Sequence, residues 1–219
     1  MKVAIAGGHG KIGTLLIGKL RERGDEVRSL DRKAEYADDV RAAGAEPVVC
    51  DLETAGLAEI ESAIEGMEAA VFTVGAGPGS GPEPKWRIDF AGALKLAAAA
   101  RSAGVRRYVI VSSIGADPNA DGDDAFAVYL RAKGAADREV QGSGLDYTIV
   151  RPTGLTDDEG TGRVKAGESV DRGQISREDV AAVLALSLHE PGTIGQTFEL
   201  TSGDQPIEDA IAALAPGRS

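Results

Sequence analysis

Tyr129-Leu-Arg-Ala-Lys133 sets a phenol and an ammonium four residues apart. On a helix, that spacing puts both groups on one face. A phenol titrates near ~10 and is a poor acid or base at neutral pH. A neighbouring ammonium stabilises the phenolate and lowers that value, which suits proton transfer to or from a carbonyl oxygen. Ser112-Ser113 precedes the pair at the end of an apolar run, where Ser113 can orient the same oxygen. Ser113, Tyr129 and Lys133 are therefore the catalytic candidates. An aromatic ring packed on a helix beside an exposed lysine has the same spacing, so the pair gains meaning only from its surroundings.

Those surroundings begin at the other end of the chain. Lys2-Val-Ala-Ile-Ala6 runs directly into Gly7-Gly-His-Gly10-Lys-Ile-Gly13, and a helix-like segment follows. A strand, a glycine-rich turn and a helix form the setting in which such glycines seat a dinucleotide. The glycines allow a tight turn and let backbone approach a pyrophosphate, while the helix N-terminus offers free N–H groups and a positive dipole end. The spacing is G-x-x-G-x-x-G, not the commoner G-x-G-x-x-G. With 29 glycines in 219 residues the motif alone is weak, and its place after a strand gives it weight. Gly7, Gly10, Lys11 and Ile12 are the candidate contacts. The second strand ends in Asp31-Arg32-Lys33. A carboxylate here accepts from a free ribose 2′-hydroxyl and favours NAD, whereas a guanidinium binds a 2′-phosphate and favours NADP. Asp31 and Arg32 are both candidate contacts. Arg28, Arg32 and Lys33 form a local basic group on an acidic chain, so NADP is the expected cofactor and NAD the alternative.

The elements that must position these residues alternate. Near-continuous apolar runs at Lys2–Ala6, Glu26–Leu30, Glu46–Cys50, Ala69–Val74, Arg106–Ser112 and Asp146–Arg151 read as strands buried on both faces. Helix-like stretches at Lys11–Arg23, Ala34–Ala43, Gly56–Glu65, Trp86–Ala103 and Ala125–Gln141 separate them, several ending at a glycine. The expected fold is α/β: a Rossmann-type doubly wound parallel sheet with helices on both faces. A ligand then sits beyond the carboxyl ends of the strands. Gly75–Pro84 is rich in glycine and proline and is expected to exclude helix, as a mobile loop or a long connection. After Arg151 the regularity falls. A short strand at Arg163–Ala166, a helix at Arg177–His189 capped by Ser176 with Asp179 at its third position, a strand at Gln196–Thr201 and a helix at Ile207–Leu214 are expected. Residues 1–219 read as one domain, with 1–151 as its core and 152–219 as a small lobe on the substrate side.

Composition sets limits. The net charge of −11 argues against nucleic acid and anionic membranes as partners. An anionic cofactor must therefore be held by local groups. Cys50, the single cysteine, sits in an apolar run and reads as a buried structural thiol. His9 and His189 share no ligand spacing with each other or with Cys50, so no metal site is expected. The opening strand is unlike a signal peptide, and no apolar run approaches the ~20 residues of a membrane span. The expectation is a soluble cytoplasmic protein with a small-molecule substrate, and a monomer rather than a homodimer.

Taken together, Gly7-x-x-Gly10-x-x-Gly13, Asp51-Leu52, Val111-Ser-Ser113, Tyr129-x-x-x-Lys133 and Val150-Arg-Pro152 resemble the short-chain dehydrogenase/reductase superfamily. The chain is most similar to its atypical, NAD(P)H-binding branch, labelled sugar epimerase-like or NmrA-like. Ala76-Gly77, Gly154-Leu-Thr-Asp157 and Ile175-Ser-Arg-Glu-Asp-Val180 extend the likeness over essentially the whole chain. The resemblance implies that Asp51 and Leu52 lie against the adenine, that Gly75 backs the cofactor and that Lys133 bonds the nicotinamide ribose. It also implies that Pro152 and Thr153 close over the nicotinamide. Asp31 is a departure, since the branch usually has an apolar residue there. The expected activity is hydride transfer between NADP(H) and a small carbonyl or alcohol. Flavin or tetrapyrrole reduction, sugar epimerase-like chemistry and a non-catalytic NADP(H) sensor are the alternatives. The lobe is shorter than in extended sugar-nucleotide epimerases, which disfavours a large nucleotide sugar.

Overall fold

The computed structural model describes residues 1–77 and 80–215. Seven parallel strands form its frame: β1 (Lys2–Ala6), β2 (Glu26–Asp31), β3 (Glu46–Val49), β4 (Ala69–Phe72), β5 (Arg107–Val111), β6 (Asp146–Pro152) and β10 (Gln196–Ser202). They lie in the order β3-β2-β1-β4-β5-β6-β10. The order reverses at β1, the switch point where doubly wound sheets open a crevice. Ala6 pairs with both Leu30 and Phe72, so the carboxyl ends of β1, β2 and β4 finish level. Gly7, Asp31 and Thr73 are thereby brought to one edge.

Side chains alternate across this sheet, and each face has its own core. Val3, Ile5, Val71, Val109 and Val111 meet α1 (Lys11–Glu22) and α7 (Arg177–His189) on one side. Ala4, Ala6, Phe72, Tyr108 and Ile110 meet α3 (Leu57–Ala63), α5 (Ala93–Ser102) and α6 (Ala125–Gln141) on the other. The small α2 (Ala37–Ala43) ends at Gly44 and leads into β3. In α5 and α6, Ala93, Ala99, Ala100, Ala132 and Ala136 are fully buried.

Three expectations are corrected. Helix is not excluded over Gly75–Pro84. Pro78 and Gly79 lie outside the described residues, but a helical turn, α4 (Pro82–Pro84), opens there. Proline suits a first helical turn, where its missing N–H would have had no partner. The expected helix over Trp86–Ala103 is also not uniform, because Lys85–Gly92 is π-helical before α5 begins. The strand expected over Ala69–Val74 stops at Phe72, where the chain turns into the site.

The segment beyond Arg151 adds strands to the same sheet and side chains to the same core. Besides β10, it adds β8 (Arg163–Gly167) and β11 (Gln205–Pro206) antiparallel at the sheet edge. Its α7 packs on α1, followed by α8 (Ile207–Ala212), and Phe198 and Leu200 enter the common core. Among the described residues, only β7 (Gly154–Thr156) and β9 (Gln174–Ser176) pair apart from the main sheet. Ser176 caps α7 by accepting from the Asp179 N–H at 2.9 Å. Buried Arg107 fastens the junction, donating to Thr148, Thr193 and the Ser187 carbonyl; burial lowers its guanidinium to about 10.

Candidate active site

The glycine turn builds the first half of the site from backbone alone. Gly7 has φ +85°, a left-handed conformation that only glycine adopts easily. A Cβ on Gly13 would stand 2.2 Å from the Gly7 carbonyl oxygen, so the start of α1 can lie against the turn only without one. Gly10 precedes α1 in extended conformation, and no side chain caps the helix. The N–H groups of Lys11, Ile12 and Gly13 are first-turn donors with no intrahelical partner. An uncapped helix start above a side-chain-free turn is a cradle that fits a pyrophosphate.

Beside the turn lies a cleft of about 320 Å³, lined by Gly7, Gly10, Asp31, Arg32, Tyr36, Asp51, Leu52 and Gly75 among others. Asp31 is buried, and both its oxygens are engaged: one accepts the His9 N–H at 3.1 Å, the other the Ser29 hydroxyl at 2.5 Å. The His9 ring stacks on Tyr36 at 3.8 Å. Asp51 accepts the Glu53 N–H at 3.0 Å, folding the loop after β3. Cys50 is buried here, which pushes its thiol up to about 11.

The expected basic group does not assemble. Arg28 turns away to Glu46 and to the carbonyls of Ala63 and Glu65. Lys33 pairs with Glu35 at 2.7 Å. Arg32 alone lines the cleft. Charges placed close in sequence on a strand end were drawn apart by nearer acids. The Lys11 side chain also leaves the cleft, pairing with Asp157 at 2.5 Å, and Arg177 holds the same carboxylate at 2.6 Å.

A second cavity of about 470 Å³ adjoins the cleft along Thr73, Val74 and Gly75. The remaining walls include Ile12, Lys85, Val111, Ser112, Phe126, Tyr129, Lys133 and Leu155. Asp124 starts α6 by accepting the N–H groups of Phe126 and Ala127, both at 2.8 Å. Tyr129 and Lys133 then face the cavity together. Lys133 is buried; its Nζ donates to the Val111 carbonyl at 3.0 Å and lies 3.2 Å from Asp89 and 5.9 Å from the Tyr129 ring. Burial pulls its ammonium down, but Tyr129 and Asp89 outweigh that and hold it above the ordinary lysine value. One turn on, burial raises the Asp137 carboxyl against the opposing pull of Arg151 and Ser112, which donate to it at 2.9 and 2.8 Å.

Three expected positions differ. Ser112, not Ser113, lines the cavity; the Ser113 hydroxyl donates back to the Ile114 carbonyl at 3.2 Å. Adjacent residues at a strand end point to opposite sides, and the doublet does not say which one faces the ligand. Pro152 and Thr153 line neither cavity. Thr153 is buried, its hydroxyl bonded to Thr201 at 3.0 Å, and Leu155 takes the wall instead. The Ile12 side chain lines the second cavity, while its backbone N–H belongs to the cradle.

Asp89 was missed. It is fully buried on the π-helical segment and accepts the Ala76 N–H at 3.2 Å through one oxygen. The other, beside Lys133, has no hydrogen bond of good geometry among the described residues. Asp89 thus ties the loop behind the cleft to the lysine of the cavity. π-helical turns recur at functional sites because they re-aim side chains. Nothing in the sequence singles it out, since Lys85 and Arg87 carry charge in the same stretch.

Residues 7–191 match the family model described as NAD(P)H-binding. The chain belongs to the NAD(P)H-binding family. A relative in Bacillus subtilis (strain 168), named uncharacterized sugar epimerase YhfK, is 40% identical over 98% of this chain and 100% of its own. Among solved structures, a candidate NAD-dependent epimerase/dehydratase from Bacillus halodurans is 36% identical, with a TM-score of 0.90 over 97% of this chain and 99% of that one. The oxidoreductase ylbE of Lactococcus lactis is 28% identical, with a TM-score of 0.85 over 98% and 96%. This NAD(P)H-binding protein is thus a member of a Rossmann-fold group that spans oxidoreductase-like and epimerase-like names. Its cofactor is a nicotinamide dinucleotide, and the glycine cradle above is the part of the structure that fits one.

Proposed function

We propose that the protein is an NADP(H)-dependent reductase of a small carbonyl compound. The observation that carries this reading is the wall of the second cavity, where Tyr129 and Lys133 face a space that opens directly onto the glycine cleft. When bound, NADPH supplies the hydride. The backbone donors of Lys11, Ile12 and Gly13 hold its pyrophosphate, while Asp51, Leu52 and Gly75 line its course. Arg32 favours the 2′-phosphate, because among the described residues it has no carboxylate partner while Asp31 is already engaged.

Tyr129 donates the proton to the substrate oxygen. Lys133, fixed by the Val111 carbonyl and Asp89, supplies positive charge beside the phenol as that proton leaves. Ser112 lines the cavity wall, but its hydroxyl donates to Asp137 at 2.8 Å, so the orienting role expected of Ser113 does not pass to it. Ile12, Val74, Val111, Phe126 and Leu155 make the walls largely apolar, which suits an apolar carbonyl compound better than a polyhydroxylated sugar.

The test is a fluorescence titration with NADPH and NADH, followed by a panel of aldehydes, ketones, quinones and flavins. NADPH should bind more tightly than NADH and be consumed with at least one carbonyl. Tight binding without consumption would assign the site to a sensor, and no binding of either dinucleotide would overturn the reading.

A further inference from the structure

Lys85, Lys133 and Asp89 line the second cavity, and the Arg151–Asp137 pair adjoins it through Ser112. Lys133 lies 3.2 Å from Asp89, and Arg151 donates to Asp137 at 2.9 Å. Lys85 is left over. It is only 6% exposed, lines the cavity, and among the described residues forms no ion pair. Its contacts are the Ser80 hydroxyl at 3.3 Å and the Tyr129 ring, whose centroid is 5.2 Å from Nζ. A buried lysine without a counter-charge is uncommon, because desolvation is then uncompensated.

The local geometry explains how it arises. Asp89 is four residues further along the same helical stretch, the spacing at which an α-helix would pair the two. The π-helical turn spans both residues, and Asp89 serves Lys133 instead. Cofactor phosphate is a poor fit as the missing partner. The uncapped start of α1 already supplies donors for it, and Lys85 lines the cavity but not the cleft.

We propose that Lys85 anchors a carboxylate of the substrate, making the preferred substrate an apolar carbonyl compound that bears an acidic group. The proposal rests on the reductase reading for the fate of the carbonyl, but not for the binding itself. The apolar walls take the body of the molecule, Tyr129 meets the reacting oxygen, and Lys85 sets which end enters first.

Calorimetric titration of the protein saturated with NADP⁺ tests this with no turnover. Three probes share a 1,4-naphthoquinone ring and differ in one side-chain group: a carboxylate, its methyl ester, or a trimethylammonium. The acid should bind at least ~10-fold more tightly than the ester, and the cation more weakly than either. Lys85→Met should erase the preference and Lys85→Arg should keep it. Equal binding of acid and ester to the unaltered protein would overturn the proposal. So would a preference that survives Lys85→Met, or a loss of NADP⁺ affinity in that variant as large as the loss for the acid. If Lys85→Met does not fold, the unaltered protein and Lys85→Arg still decide. An acid preference without NADPH consumption would count against the reductase reading alone; consumption without an acid preference would count against the anchor alone.

Discussion

The cleft and the cavity are built in opposite ways. The cleft is a backbone device: a left-handed glycine, a carbonyl with no Cβ facing it, and the bare N-terminus of α1, all within Gly7–Gly13. The cavity is a side-chain device, drawing Lys85, Asp89, Ser112, Tyr129, Lys133 and Leu155 from four separate segments. Backbone needs only space, so the turn leaves no room for a Cβ at Gly13, and little of that turn depends on charge. The cavity instead holds buried ions that have to balance one another, and Lys85, which forms no ion pair among the described residues, is where a ligand can be selected.

The largest expected effects separate these two logics. Gly13→Ala puts a Cβ where 2.2 Å is available, so α1 must shift. NADPH affinity should fall by ~100-fold or more, since ångström-scale displacement of a positioning element has effects of that size. Fluorescence titration reads this; unchanged affinity would show that the cradle is not the cofactor seat. Tyr129→Phe works in the other region. It should lower kcat by ~10²–10⁴-fold through loss of the proton donor, while NADPH affinity stays within about twofold, a split that steady-state kinetics alongside the same titration would reveal. A full-rate Phe variant would instead favour hydride transfer with no help from the phenol, as the alternative of flavin reduction would allow.

How far each region could be read in advance follows the same division. The doubly wound sheet is written in local signals: apolar runs, glycine stops and one glycine turn after a strand. The order β3-β2-β1-β4-β5-β6 then follows from right-handed crossovers. Gly7, Gly10 and Asp31 were legible because their places depend on neighbours within a few residues. Tyr129 and Lys133 were legible as a pair because helical spacing is local. What the sequence could not reveal was choice among distant partners. Arg28 was expected beside Arg32, yet Glu46 on the adjacent strand takes it. Ser112 and Ser113 differ only in the side of the sheet they reach. Asp89 and Lys85 depend on a π-helical turn, a departure in backbone pitch that no residue between Lys85 and Gly92 announces.

Stability measurements should sharpen the same contrast at an intermediate scale. Lys133→Met strips Asp89 of its neighbouring charge in a fully buried setting. Removing one member of a buried pair costs about 3–5 kcal/mol, which in a domain of this size lowers Tm by roughly 10 °C. Adding Asp89→Leu should restore at least half of that loss, because the uncompensated charge is then gone. Two additive losses would mean that Asp89 matters chiefly as acceptor of the Ala76 N–H. In the cleft, Arg32→Ala should raise the Kd for NADPH by about tenfold, the cost of roughly one charge-assisted contact, and leave NADH nearly unaffected. Equal losses for both dinucleotides would remove the basis for preferring NADP(H).

The smallest effect is expected where the two regions are joined across the surface. Asp157, just beyond β7, holds Lys11 at the start of α1 and Arg177 at the start of α7. The Lys11 ammonium bonded to it, helped by Arg177, keeps its carboxyl below the ordinary aspartate value. A carboxyl depressed in the folded state adds stability that is complete above its unfolded value, near pH ~4. That contribution disappears as the pH falls through the lower, folded value. Thermal melts between pH 5 and pH 2.5 should therefore decline slightly less steeply for Asp157→Asn than for the unaltered protein, and the difference should shrink in 1 M salt. Because the pair is exposed, screening keeps the effect small. A large change in NADPH affinity on the same substitution would show instead that this ion triad positions α1, and that the cleft depends on charge after all.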